Sequence, residues 1–156
     1  MYHRAPGPIG AAIDGDIYIQ VICDGLHIHE SVIKMLYRTF GKDKMILVSD
    51  SMRATGLEDG EYEFGEKMIT VKKSVARTPD GAIAGSTSSL LQCVKKAMEL
   101  GITDKDAFYM ASRTPAELLG LNKGRIEQGY DADFIAVDVE YNIIITVKKG
   151  KLIWKR

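Results

Sequence analysis

Two short apolar runs with a helical pattern between them constrain the fold of this chain most strongly. Residues 17–23 and Met45–Val48 are rich in aliphatic side chains, and each run is followed by polar residues. Runs of this length are typical of strands buried on both faces of a parallel sheet. Apolar residues at helical spacing over 32–40 predict a helix between them, which ends at Gly41. This order predicts βα units and therefore an α/β fold.

The rest of the chain predicts further helices and then strands. Alternation over 61–64 and 68–71, inside a segment near 59–80, predicts short antiparallel strands. An apolar stripe from Leu90 to Met98 predicts a helix that begins after the hydroxyls of 86–89 and ends at Gly101. Two more helices are predicted, one over 103–112 with Asp106 placed for a capping box, and one capped by Thr114 with Pro115 at its first position. Residues 133–154 predict three strands.

Charge and cysteine content exclude several classes of protein. Twenty-one basic residues balance twenty-one acidic ones, so we expect neither a nucleic-acid partner nor a membrane surface. No apolar run approaches the ~20 residues of a membrane span, and the N-terminal segment lacks the apolar core of a signal peptide. Cys23 and Cys93 are interpreted as packed small hydrophobes. With two cysteines only, a cytoplasmic protein is expected.

The polar residues that follow the two predicted strands are the first candidates for chemistry, because ligands bind at the carboxyl ends of parallel strands. His27 and His29 would point to one side if the strand geometry continued past residue 23. They could then bind a metal or an anion, although a metal site needs three or four ligands. One structural and one surface histidine is the alternative.

Asp50 ends the second predicted strand, and two interpretations of it remain open. It could act as a general base beside a metal-bound water, or it could cap the turn that follows. The segment 85–89 could bind an anion through its backbone N–H groups, or it could be a helix cap alone.

Five segments occur in an order that resembles one enzyme family. They are RAPGPIGAA at 4–12, DGLHIH at 24–29, LVSDSM at 47–52, IAGS at 83–86 and GRIEQGYDADF at 124–134. Together they are similar to the C-terminal part of the N-acetylglucosamine-6-phosphate deacetylases, within the amidohydrolase superfamily. The last segment is typical of the whole superfamily, whereas the second and fourth segments narrow the resemblance to the deacetylases.

The resemblance implies a fold and a division into domains. Residues 1–120 would be the C-terminal portion of a TIM-type (β/α) barrel, with its last two strands, the following helices and a short β insertion near 59–80. Residues 121–156 would supply the C-terminal strands of a small β-sandwich domain. A TIM barrel typically needs ~250 residues, so a chain of 156 residues is expected to hold only part of one.

The resemblance also implies roles for individual residues. Asp50 would be the catalytic aspartate, and His27 would contact the substrate near its phosphate or sugar oxygens. Arg4 would bind the phosphate held by the neighbouring subunit of a homodimer, although Ala5 stands where the family commonly has Glu. Ile83 would lie near the acetyl pocket. The substrate would be a phosphorylated amino sugar.

The cofactor implied by the resemblance is a divalent metal, with zinc expected. In the family, the metal is held by a Glu and two His that lie before the region present here. No complete metal site is therefore expected in this chain. Asp50 would be a weak ligand of the metal or a neighbour of it. The chain alone is therefore expected to be inactive and to retain no metal. Two alternatives stay open: a non-enzymatic half-barrel that binds phosphosugars or assembles with another chain, and another amidohydrolase such as a deaminase.

Overall fold

The computed structural model describes residues 4–156; the first three residues, His3 among them, lie outside this description. The helices are α1 (Gly7–Asp14), α2 (Glu30–Lys44), α3 (Leu90–Glu99) and α4 (Asp104–Leu118). The strands are β1 (Ile19–Ile22), β2 (Met45–Val48), β3 (Gly60–Phe64), β4 (Lys67–Lys72), β5 (Val75–Arg77), β6 (Phe134–Val137), β7 (Ile143–Lys148) and β8 (Lys151–Lys155). The predicted mixture of helices and strands is confirmed. Within residues 4–156, no helix is long and apolar enough to cross a bilayer.

Strands β1 and β2 pair in parallel, as the sequence predicts. Their register runs from Ile19 opposite Met45 to Ile22 opposite Val48, and α2 connects them. Burial on both faces is confirmed for β2, in which three consecutive residues are buried. The prediction of burial on both faces is wrong for the start of the run 17–23. Ile17 is 53% exposed, and only Val21 and Cys23 are buried in that run.

The main core lies where α2, α3 and α4 pack against the parallel pair. Its buried members from the helices are Ile33, Leu36, Cys93, Val94, Ala97, Ala107 and Met110. Cys23 and Cys93 are both buried and free, as expected of packed small hydrophobes. Burial, the largest effect, raises the pKa of the Cys23 thiol to about 12 and that of Cys93 to about 11. Both thiols therefore stay protonated at neutral pH, and neither is a nucleophile.

The ends of α2 and α3 follow the predicted signals. Ser89 caps α3 through a complete capping box with Gln92, in which each side chain accepts a hydrogen bond from the other residue's backbone N–H. Gly41 has φ 62° and ψ −179°, which breaks the helical path of α2 before its last residues. Such a φ is accessible to glycine without steric cost.

Helix α4 differs from the prediction. One continuous helix runs through Thr114 and Pro115, where the sequence predicts a break and a new N-cap. Thr114 is fully buried, and its hydroxyl donates to the backbone carbonyl of Lys42, 2.6 Å away, instead of capping. This bond joins α4 to the end of α2. The preference for an uninterrupted packed helix outweighs the missing N–H of the proline.

The capping box predicted at the start of α4 is only half formed. The Thr103 hydroxyl accepts a hydrogen bond from the Asp106 backbone N–H. The Asp106 carboxylate does not return to the cap, because it accepts a hydrogen bond of 2.6 Å from the Tyr37 hydroxyl on α2. The residue predicted to close the cap therefore joins α4 to α2.

Strands β3, β4 and β5 form an antiparallel sheet with a small core of its own. The two predicted strands are present, and β5 is an additional third strand. Ile83 makes an antiparallel bridge with Arg77, which attaches residues 82–84 to the edge of this sheet. The sheet buries an apolar cluster made of Ala54, Ile69, Val71, Ala76 and Ala84. The segment after β5 is thereby held in position for its return to the parallel strands.

The C-terminal residues form the predicted three-stranded antiparallel sheet, in the order β6-β7-β8. The segment before β6 packs tightly against α4. A Cβ atom on Gly124 would lie 2.7 Å from the Cα atom of Arg113, so only glycine fits this close approach. The position of Gly124 in the GRIEQGYDADF segment thus has a packing reason.

We predict that Thr114→Val destabilises the chain. The substitution keeps the branched shape but removes, at the fully buried position 114, the donor to the carbonyl of Lys42, and an unsatisfied buried group costs about 1–3 kcal/mol. The free energy of unfolding in urea should fall by that amount. Thr39→Val is the matched control, because the Thr39 hydroxyl donates to Met35 at an exposed position; its effect should stay within about 0.5 kcal/mol. Equal effects of the two substitutions would contradict the prediction.

Candidate functional site

The carboxyl ends of β1 and β2 lie side by side, and each is followed by an aspartate. Because Ile22 is opposite Val48 in the parallel register, Asp24 and Asp50 stand at the same edge of the pair, two residues beyond the strand ends. The extended geometry does not continue past the first strand, since residues 24–28 form a series of bends. His27 and His29 consequently do not share one face of a strand.

Asp24 organises the bends that present His27. Its Oδ1 atom accepts hydrogen bonds from the backbone N–H groups of Leu26, at 2.9 Å, and His27, at 3.1 Å. Its Oδ2 atom lies 2.8 Å from Nδ1 of the His27 ring. The carboxylate therefore fixes both the backbone of the turn and the side chain that the turn carries.

The Asp24 side chain is nearly inaccessible, with 3% of its surface exposed. Burial alone would raise its pKa, but hydrogen bonds from the backbone N–H groups of His27 and Leu26, from the His27 ring and from the Ser86 hydroxyl outweigh that effect, and the pKa is lowered. Ser86 is itself 2% exposed, and its oxygen also accepts a hydrogen bond from the Ser88 backbone N–H. Asp24 is thus a buried carboxylate that is kept charged by its hydrogen bonds.

Asp50 has the opposite environment. Its side chain is 52% exposed, and its Oδ2 atom lies 3.9 Å from Nε2 of His27. Its backbone carbonyl accepts a hydrogen bond from the Ser86 N–H, and the Ser86 carbonyl accepts one from Met52. The two bonds flank a parallel bridge between Ser51 and Ser86, so the Asp50 carbonyl is paired while its carboxylate stays open to solvent.

Gly85 allows the approach of this third segment to the strand end. It has φ +69°, and a Cβ atom there would lie 3.2 Å from Met52 Cβ and 3.3 Å from the Asp50 carbonyl oxygen. The segment 85–89 is thus explained by packing and by the Ser89 cap of α3. Nothing in these contacts points to a bound anion, and the anion-binding interpretation stays a prediction.

The structure brings together two of the five residues singled out from the sequence. His27 and Asp50 are neighbours. Arg4 lies in an exposed turn, and among residues 4–156 it has no salt-bridge partner. Ile83 is half-buried at the edge of the β3–β5 sheet. His29 caps α2, since its Nδ1 atom accepts a hydrogen bond from the Ser31 N–H.

Asp24 and Ser86 are the two site residues that the sequence analysis missed. The sequence pattern assigns no separate role to Asp24, and it predicts Ser86 only as one of the hydroxyls that precede α3. The signal for Asp24 was available, because it directly follows a predicted buried strand and precedes a histidine at i+3. Ser86 had no comparable signal, because its backbone hydrogen bond to the Asp50 carbonyl joins two distant parts of the chain.

The described residues do not make a metal site. In the part of the chain that the structure describes, no group of three or more His, Cys, Asp or Glu side chains is arranged to hold a metal ion. Asp24 uses both carboxylate oxygens in hydrogen bonds, which leaves His27 Nε2 and the Asp50 carboxylate as the free polar groups. An exposed carboxylate beside an oriented imidazole can accept and return a proton and can hydrogen-bond a polar ligand.

Comparison with known proteins gives consistent matches over nearly the whole chain. The amidohydrolase family model matches residues 12–153. The N-acetylglucosamine-6-phosphate deacetylase of Vibrio furnissii is 39% identical over 99% of this chain, and the N-acetylgalactosamine-6-phosphate deacetylase of Escherichia coli O157:H7 is 34% identical over 88%. The crystal structure of N-acetylglucosamine-6-phosphate deacetylase from Thermotoga maritima matches 99% of this chain with a TM-score of 0.92 and 33% identity.

The matched proteins are longer than this chain. The chain spans 39% of the Vibrio protein, 37% of the Escherichia protein and 44% of the Thermotoga chain. The match to the solved structure confirms an α/β arrangement of amidohydrolase type for this part of the fold.

We predict that Asp24 makes stability depend on pH in the acid range. Its pKa in the folded chain is lowered from the ordinary 3.8, so the unfolded chain binds the proton more tightly. The stabilisation is present above pH 3.8 and is lost as the pH falls through the lower, folded pKa. The wild-type chain and Asp24→Asn should therefore differ less in their free energies of unfolding below pH 3.8 than above it. Urea titrations at a series of pH values measure this difference.

Asp14→Asn controls for the loss of one charge. Asp14 is an exposed residue at the end of α1, without a side-chain hydrogen bond to the described residues. A wild-type to Asp24→Asn difference that stays constant from neutral to acid pH would contradict the prediction.

Proposed function

The chain belongs to the amidohydrolase family, and on that premise we propose that it carries the C-terminal share of a metal-dependent amino-sugar-phosphate deacetylase. In this proposal residues 1–120 form the last part of a TIM-type barrel, with β1 and β2 as its last two strands and β3–β5 as the insertion near 59–80. Residues 121–156 supply the C-terminal strands of a small β-sandwich domain. The tight packing of Gly124 against α4 supports a junction close to residue 121.

The proposed reaction is hydrolysis of N-acetylglucosamine 6-phosphate to glucosamine 6-phosphate and acetate. The observation that carries it is the exposed Asp50 carboxylate beside the oriented ring of His27, at the carboxyl edge of two parallel strands. That edge is where catalytic groups of (β/α) barrels lie. The names of the matched deacetylases supply the substrate class.

Asp50 is the proposed catalytic residue. Its carboxylate takes a proton from the attacking water, and the water oxygen forms a bond to the amide carbon. The protonated Asp50 then gives that proton to the leaving nitrogen as the carbon–nitrogen bond breaks. A group that both accepts and returns a proton must be reachable by substrate, which agrees with the 52% exposure of Asp50.

Three further residues have proposed roles in binding. His27 contacts the sugar or phosphate oxygens of the substrate through Nε2. Ile83 contributes to the acetyl pocket. Arg4 binds the phosphate across the interface of a homodimer, because its planar guanidinium suits a phosphate and its exposed position leaves it free for such a contact.

The divalent metal of the proposal, with zinc expected, needs ligands beyond the described residues of this chain. The site described above offers only the Asp50 carboxylate and His27 Nε2 as free groups, whereas catalytic zinc sites use about three protein ligands. The structure of this chain therefore supports roles for its own residues in proton transfer and binding.

We expect no turnover from the chain alone and turnover when the remainder of a matched deacetylase is supplied. The chain should be assayed with zinc, before and after co-refolding with the N-terminal part of such a relative, on N-acetylglucosamine 6-phosphate and on its 4-epimer. In the active mixture, Asp50→Asn should lower kcat by about 10²–10⁴-fold with little change in KM. Asp43→Asn, an exposed aspartate of α2, is the control for loss of a carboxylate.

The outcomes separate the proposal from its alternatives. Turnover of the 4-epimer only would show that the substrate is N-acetylgalactosamine 6-phosphate and not N-acetylglucosamine 6-phosphate. Binding of the sugar phosphate without turnover would favour a non-enzymatic half-barrel. Wild-type turnover by Asp50→Asn would show that Asp50 is a turn residue and not the catalytic acid and base.

We predict that Arg4→Ala in the active mixture raises KM for the 6-phosphorylated sugar and leaves the slow reaction of the unphosphorylated sugar nearly unchanged. The reason is that the unphosphorylated sugar has no anion for Arg4 to bind. Steady-state kinetics on both sugars measure the difference, with Arg38→Ala, an exposed arginine of α2, as the control. Equal losses on both sugars would place Arg4 in packing and reject the phosphate role.

A further inference from the structure

We infer that Asp24 is a positioning residue that holds the His27 ring in a single tautomer, with its proton on Nδ1 and with Nε2 turned toward Asp50. The catalytic meaning of this arrangement rests on the proposed function. The tautomer itself is a property of this chain and is measurable without any activity.

The proton of the His27 ring lies on Nδ1. An ionised carboxylate can only accept hydrogen bonds, and the hydrogen bonds around Asp24 keep it ionised. Because Asp24 Oδ2 lies 2.8 Å from His27 Nδ1, the ring must donate from Nδ1. In a neutral imidazole the other nitrogen then carries a lone pair and no proton.

The Asp24 carboxylate is held in one orientation by its hydrogen bonds. Two backbone N–H groups, those of Leu26 and His27, donate to Oδ1, so Asp24 cannot rotate without losing both bonds. Ser86, in the segment that adjoins β2, also contributes to the lowered pKa of Asp24. The 3% exposure of the Asp24 side chain leaves these protein groups in the place of water. The orientation of the His27 ring is therefore set by hydrogen bonds within the turn of residues 24–27.

The Nε2 atom of His27 is available to a ligand. The distance of 3.9 Å to Asp50 Oδ2 is too long for a hydrogen bond, so the Nε2 lone pair is free for a ligand. A neutral His27 can accept a hydrogen bond there from a hydroxyl or an N–H group, and it cannot donate one to a phosphate oxygen. For the neutral ring, the arrangement narrows the proposed role of His27 to a sugar hydroxyl, with the phosphate left to a cationic group such as Arg4.

Nitrogen NMR on the wild-type chain tests the inference directly. Histidine ¹⁵N-labelled protein should be recorded at about pH 9, well above the ordinary imidazole pKa of about 6.5, and the signals of His27 assigned by their loss in His27→Gln. We expect the ¹⁵N shifts of His27 to show a protonated Nδ1 and an unprotonated Nε2. A protonated Nε2 in the wild-type chain would overturn the inference.

Asp24→Asn should invert the tautomer. The two backbone N–H donors hold the amide oxygen at the Oδ1 position, so the amide nitrogen faces the ring and donates to Nδ1, which moves the ring proton to Nε2. Asp59→Asn is the matched control, because Asp59 also accepts from two backbone N–H groups, those of Lys73 and Ser74, but has no histidine partner. The control should leave the spectrum of His27 unchanged.

An Asp24→Asn chain that keeps the proton on Nδ1 would overturn the inference. If this variant does not fold, the wild-type spectrum alone decides. Failure of the deacetylase assay would reject the proposed function and would leave the tautomer result standing, so the two failures are distinguishable.

Discussion

The parallel pairing of β1 with β2 is the interaction on which the rest of the structure depends. Four residue pairs in register, from Ile19 and Met45 to Ile22 and Val48, bring two strand ends to one edge. Three helices cover this pair with a common apolar core. A slip of one residue would exchange the inward and outward faces of a strand. The same register that buries Val21 and Leu47 therefore also places Asp24 and Asp50 side by side.

The two aspartates at that edge show how one geometry supports two kinds of carboxylate. The Asp24 carboxylate accepts hydrogen bonds that fix the turn around His27. The Asp50 carboxylate is exposed to solvent, and only the backbone carbonyl of Asp50 is hydrogen-bonded to the neighbouring segment. The segment around Ser86 affects both, since its backbone pairs with Asp50 and its side chain contributes to the lowered pKa of Asp24. In the chain, the β3–β5 sheet lies between β2 and the segment around Ser86. After this sheet, the chain returns to the carboxyl end of β2, where Ser86 pairs with Ser51.

Local signals predicted most of the elements, and contacts distant in sequence account for what they missed. The strand β2, the cap at Ser89 and the break at Gly41 follow from composition and spacing, and all three are present. The Thr114-Pro115 signal predicted a helix start and was wrong, because the hydroxyl of Thr114 finds its partner 72 positions away on α2. In the site, Asp50 and His27 were predictable from their positions after strands, but the role of Ser86 depends on a fold-level contact that no local pattern encodes.

The backbone conformation of Asp50 limits which amino acids can occupy that position. Its φ is 52°, in the left-handed region that glycine adopts freely and that asparagine and aspartate tolerate better than other side chains. Of those three, only aspartate has an ionisable side chain. The turn that lets the chain leave β2 and meet Ser86 therefore strains aspartate, asparagine or glycine less than most other residues at this position. Backbone conformation thus limits sequence variation at position 50 independently of the chemistry of its side chain.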